Sequence, residues 1–133
     1  MAKIIDLTLP LDATTTSPPS QARKVEVTYA HRKPGWWQAS LITLSAHTAT
    51  HVDSPLHVIE GTPKIGEVEL EKVVGEAVIL GLTNKGPNST IAWKDLEKFS
   101  QKVRPGDIIL LRTDWTDKKW GTDDYWNKSP YLT

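Results

Sequence analysis

Three of the four histidines in this 133-residue chain fall within eleven residues, in the stretch HTATHVDSPLH, together with one aspartate. His47, His51, Asp53 and His57 offer imidazole nitrogens and a carboxylate oxygen, a donor set suited to Zn²⁺, Mn²⁺ or Fe²⁺. The chain has no cysteine, so thiolate catalysis, disulfides and cysteine-ligated zinc are excluded and any metal must be held by nitrogen and oxygen. Three protein ligands with one position left open describe a catalytic site, in which water is activated near neutral pH, better than a closed structural one. A bridging carboxylate would also allow two ions. His57, beyond Pro55, is placed to stay off the metal and carry a proton to or from the reacting group.

Two backbone geometries can gather these groups. On a helix His47 and His51 share a face, but Asp53 lies about 200° further round and cannot join them. In an extended chain all four residues have the same parity and point to one side. The β-branched neighbours Thr48, Thr50 and Val52, and Pro55 with its effect on Ser54, favour the extended form. Ala49 is then the one small side chain on that face between the two histidines, leaving room for an ion. A surface strand carrying histidine and threonine would look similar; the same-parity aspartate and third histidine favour a metal.

The elements around this stretch are readable from pattern. KIIDLTLPL alternates as a first strand, DATTTSPPSQ is a loop, and KVEVTYAH is a strand with Val25 and Val27 on one face. KPGW is a turn leading into WQASLITLSAHTATHVD. The apolar run in EKVVGEAVILGL predicts a strand buried on both faces, and DIILLRTDW predicts another. Between them IAWKDLEKFSQKV places Ile91, Trp93, Leu96, Phe99 and Val103 near a helical stripe, capped by Ser89 or Thr90 and stopped by RPGD. Strand, helix, strand predicts a crossover unit, hence an α/β domain with a mixed sheet. The tail TDKKWGTDDYWNKSPYLT is polar with aromatic punctuation, ending on Thr133, a helix-cap residue.

A chain of this length buries roughly two thirds of its unfolded surface and reads as one domain over residues 1–133, with no internal repeat. Sixteen basic and sixteen acidic side chains cancel without a basic patch, which argues against nucleic acid or an anionic membrane surface as partner. The apolar runs are too short to span a bilayer, and the N-terminus carries no leader pattern, so a cytoplasmic location is expected. Six tryptophans against one phenylalanine suggest pocket walls or contacts as well as core. Trp36 and Trp37, with His31 nearby, are candidates to line a substrate site. Glu60, Glu67, Glu69 and Glu71 read as a solvated acidic face, and Asp117, Asp123 and Asp124 do not fit a calcium-binding loop.

The histidine stretch resembles the signature of the cyclase family of metal-dependent hydrolases, which includes bacterial kynurenine formamidase and isatin hydrolase. Its pattern of histidine, any, glycine, threonine, histidine, any, aspartate, any, proline, any, histidine is matched by His47, Thr50, His51, Asp53, Pro55 and His57, with Ala49 in place of the glycine. IIDLTLPL resembles the family's opening strand, and RPGDIILLRTDW its later strand, with Asp114 where the family has glycine. The resemblance implies a swivelling β/α/β-like, cyclase-type domain in which His47, His51 and Asp53 bind the metal and His57 carries the proton. The implied metal is Zn²⁺ first and Mn²⁺ second, as one or two ions. The implied reaction opens an amide or cyclic amide C–N bond of a small molecule, in a homo-oligomer. The family completes its site with a further histidine and a glutamate, and no histidine follows His57, so the chain reads as incomplete at its C-terminus. The region TTTSPPSQARK lacks the aromatic that flanks substrate in kynurenine formamidases, so arylformamide specificity does not transfer. A non-catalytic binding or assembly subunit with a partial metal site is the alternative reading.

Overall fold

The computed structural model describes residues 3–21 and 24–133. It divides into two compact units, Met1–Val52 and Asp53–Thr133.

The first unit is built on an antiparallel hairpin. β1 (Glu26–Arg32) pairs with β2 (Trp37–Thr43), from Glu26 opposite Thr43 to Arg32 opposite Trp37. KPGW supplies the turn as expected, with a cis Lys33–Pro34 bond and Gly35 at φ 80°, a conformation glycine reaches without steric cost. Val25, just before β1, is buried, and Val27 on the same face is half-buried.

The expected first strand is absent: residues 3–11 pair with no strand, and Ile4, Ile5 and Leu7 are exposed. Local hydrogen bonds explain this. The Thr8 N–H donates to Asp6 Oδ1 at 2.9 Å, a side-chain turn that competes with a ladder, and Pro10 has no N–H to give. The segment is tied instead by side chains. The Leu9 N–H donates to Thr50 Oγ1 at 2.9 Å, and Thr15 Oγ1 accepts from the Asp12 N–H at 2.8 Å while donating to the Pro10 carbonyl at 3.0 Å.

The second unit carries the predicted crossover. β3 (Ala77–Gly81) and β5 (Ile108–Arg112) pair in parallel, from Ala77 opposite Ile108 to Gly81 opposite Arg112. Between them run β4 (Thr90–Ile91), α1 (Trp93–Leu96) and a 3₁₀ segment, Glu97–Lys102. β4 pairs in parallel with β6 (Tyr131–Leu132). The fold is therefore mixed α/β, but among the described residues its ladders are separate two-stranded sheets and not one mixed sheet.

Nor are the apolar strands buried on both faces. Ile79 and Ile109 are exposed, and in β3 only Leu80 is buried, because neither strand has a second neighbour. The core of this unit is Leu80, Leu82, Ile91 and Trp115.

The helix is shorter than its stripe and is capped differently. Ser89 Oγ bonds within the preceding loop, donating to the Gly86 carbonyl at 2.8 Å. The helix entry is held by Asp95, whose carboxylate accepts the Ala92 N–H at 2.9 Å and the Lys85 ammonium at 2.7 Å. In the tail, α2 (Trp115–Lys119) and α3 (Asp123–Asn127) form where only a polar segment was expected. The indole N–H of Trp115 donates to the Tyr125 carbonyl at 3.2 Å, and Trp120 and Tyr125 meet edge to face at 4.9 Å.

Candidate metal centre

β2 ends at Thr43, and the chain then leaves extended geometry through a series of turns and bends over residues 46–50. The same-parity extended face is therefore not what gathers the histidines. Ala49 lies at φ 55°, in the left-handed region, and reverses the chain between them. One ligand atom each from His47, His51 and Asp53 lies within 4.8 Å of the others. These residues belong to one continuous seven-residue stretch, and their approach is that of near neighbours along the chain.

The loop is held from beneath. Thr48 is buried at 3 % exposure, with its hydroxyl 2.8 Å from Ser17 Oγ, and Thr50 takes the Leu9 N–H already described. Thr48 is buried in the unit, while Thr50 is exposed and is tied through its hydroxyl alone. They were not singled out as functional residues in the sequence. The signal that could have found them is a pair of short hydroxyl side chains flanking a position that departs from glycine.

The donor arrangement fits a divalent ion. His47 Nδ1 and His51 Nε2 face each other at 3.3 Å, and two ligands of a tetrahedral Zn²⁺, each about 2.0–2.1 Å from the ion, stand about 3.3–3.4 Å apart. The two ring planes are inclined at 71° with their centroids 5.3 Å apart. His51 Nδ1 lies 2.8 Å from the Ala49 carbonyl, the outer hydrogen bond that orients a ligating imidazole. His47 is half-buried, while His51 and Asp53 are exposed, so the group is open to small molecules.

His57 is not one of the three grouped residues. It closes a 3₁₀ turn, Pro55–His57, with Pro55 at the first position and the His57 N–H donating to the Ser54 carbonyl at 3.0 Å. Its side chain is exposed. His31, Trp36 and Trp37 sit at the turn end of the hairpin. The rings of His31 and Trp36 are 5.9 Å apart, and the Arg32 guanidinium lies 5.6 Å from the centre of a Trp37 ring. That end of β2 is about 20 Å along the strand from Thr43, where the chain turns toward the histidines.

A mixed α/β chain with two imidazoles and a carboxylate converging on one exposed loop defines a candidate metal-binding protein. Residues 5–133 match the profile of the Cyclase family, described as "Putative cyclase", and the chain belongs to that family. It is similar to the kynurenine formamidase of Bacillus thuringiensis (strain Al Hakam), 31% identical over 110 residues, which are 82% of this chain and 50% of that protein. The kynurenine formamidase of Bacillus anthracis is 30% identical over 113 residues, 84% of this chain and 52% of that protein. That of Bordetella petrii is 33% identical over 93 residues, 69% of this chain and 43% of that protein. The chain spans about half the length of the curated relatives it matches.

Proposed function

We propose that the chain is a metal-dependent hydrolase that opens an amide or cyclic amide C–N bond of a small molecule, with a cyclase-type swivelling β/α/β fold. The observation that carries this reading is the His47/His51/Asp53 group, with two of its nitrogens in hydrogen-bond contact at a separation that a tetrahedral ion can also span, in a chain related to kynurenine formamidases. His47, His51 and Asp53 would hold one divalent ion, Zn²⁺ before Mn²⁺, and Asp53 could bridge to a second. When bound, the ion supplies Lewis acidity where the amide carbonyl and the attacking water meet.

The remaining chemistry belongs to the chain. The imidazole of His57 takes a proton as the oxygen of water bonds to the carbonyl carbon. It returns a proton to the nitrogen as the C–N bond breaks, giving carboxylic acid and amine. His57 can do both because it sits beyond Pro55 and outside the ligand group, on a turn that leaves its ring exposed. Self-association is part of the proposal, supported by the exposed apolar side chains of the hairpin, among them Tyr29, Trp36, Leu41 and Ile42.

The test is turnover of an N-formyl arylamine and of a cyclic amide by protein stripped with chelator and reloaded with Zn²⁺ or Mn²⁺. Replacing His57 by alanine should lower turnover about 10²–10⁴-fold with metal uptake unchanged. Metal uptake without turnover on either substrate would favour a non-catalytic binding or assembly subunit. Equal turnover of wild type and His57→Ala would remove His57 from the chemistry.

A further inference from the structure

We propose that Ala49 is a positioning residue for the candidate metal group. Its left-handed backbone aims its carbonyl at His51 Nδ1, fixes His51 as the Nδ1–H tautomer and makes Nε2 the unprotonated nitrogen, the atom that meets His47 and that an ion would take. The use of that nitrogen rests on the metal-binding reading above; the tautomer does not.

A carbonyl oxygen only accepts, so the 2.8 Å contact with Ala49 requires the proton on His51 Nδ1. In the neutral ring Nε2 then carries a lone pair, and it is this atom that faces His47 Nδ1 at 3.3 Å. The carbonyl reaches Nδ1 because Ala49 sits at φ 55°, a conformation an L-residue with a Cβ rarely adopts. Such backbone persists only where its surroundings hold it. Here both neighbours do so: Thr48 is buried against Ser17, and Thr50 takes the Leu9 N–H. The three residues between the histidines, none of them a ligand, thus determine which nitrogen His51 presents.

Long-range ¹H–¹⁵N spectra of metal-free protein at pH ~8 read the tautomer directly. Wild type should show His51 protonated at Nδ1, and Ala49→Gly, which favours positive φ, should keep that signature. Ala49→Val disfavours the left-handed backbone, so His51 should become a tautomer mixture and Zn²⁺ affinity should fall about 10–100-fold, with circular dichroism reporting a retained fold. If Ala49→Val does not fold, Thr50→Val, which removes the Leu9 anchor, should move both readouts the same way. Wild-type His51 protonated at Nε2, or a folded Ala49→Val variant with unchanged tautomer and affinity, overturns the proposal. A fixed Nδ1–H tautomer in a wild type that takes up no Zn²⁺ supports the action of Ala49 on His51 and overturns the metal reading instead.

Discussion

Two residues occupy positions where the cyclase signature has glycine, Ala49 and Asp114, and both lie at φ 55°. A Cβ in the left-handed region costs about 1–2 kcal/mol, so Ala49→Gly should raise unfolding stability by up to about 1 kcal/mol once glycine's larger unfolded-state entropy is counted. Urea denaturation with an unchanged slope measures this. At Asp114 the gain should be smaller, because its carboxylate also accepts from Arg112 Nε at 2.6 Å, and that contact holds the guanidinium pKa above its ordinary value. The identity of the candidate ligands was legible in the sequence, but the means of gathering them was not. Parity is a property of strands, and the backbone between His47 and His51 is a left-handed turn pinned by hydroxyls whose partners lie more than thirty residues away. Composition at Ala49 carries no sign of positive φ; only the departure from a glycine pattern points there.

Among the elements, the crossover from β3 to β5 was readable because its apolar runs and intervening stripe are separated by strong turn signals. The helices of the tail were not, since TDKKWGTDDYW has no apolar stripe of helical period; they are anchored by buried Trp115 and the Trp120–Tyr125 contact. The opening strand failed for the opposite reason: its alternation is real, but Asp6 captures the backbone that a ladder would need. Leu82, wholly buried, should cost about 2–5 kcal/mol when replaced by alanine, measured by denaturant unfolding.

The entry to α1 carries a pH dependence. Hydrogen bonding from Lys85, and then from the Ala92 N–H, holds the Asp95 carboxyl below its ordinary range. The folded pKa is thus below the unfolded value of about 3.9, so this contribution is complete above that value and fades as pH falls through the folded pKa. Asp95→Asn should flatten the acid limb of the stability profile and leave the dependence near neutrality unchanged. An unaltered acid limb would remove Asp95 from the account.

Over the whole molecule, burial is sparse: among the described residues the buried apolar side chains are Val25, Leu80, Leu82, Ile91 and Trp115, while the hairpin and the faces of β3 and β5 expose aromatic and aliphatic groups. Apolar surface of this extent favours association, and sedimentation should find assemblies larger than one chain; a monomer at all concentrations would contradict that proposal. No helix among the described residues is long and apolar enough to cross a membrane. The proposed function depends on the His47/His51/Asp53 group binding a divalent metal. Calorimetric titration of chelator-stripped protein with Zn²⁺ tests it most directly. Saturable uptake is expected, abolished by His47→Ala and by His51→Ala in variants that remain folded; no uptake by wild type, or equal uptake by those variants, would rule the metal group out.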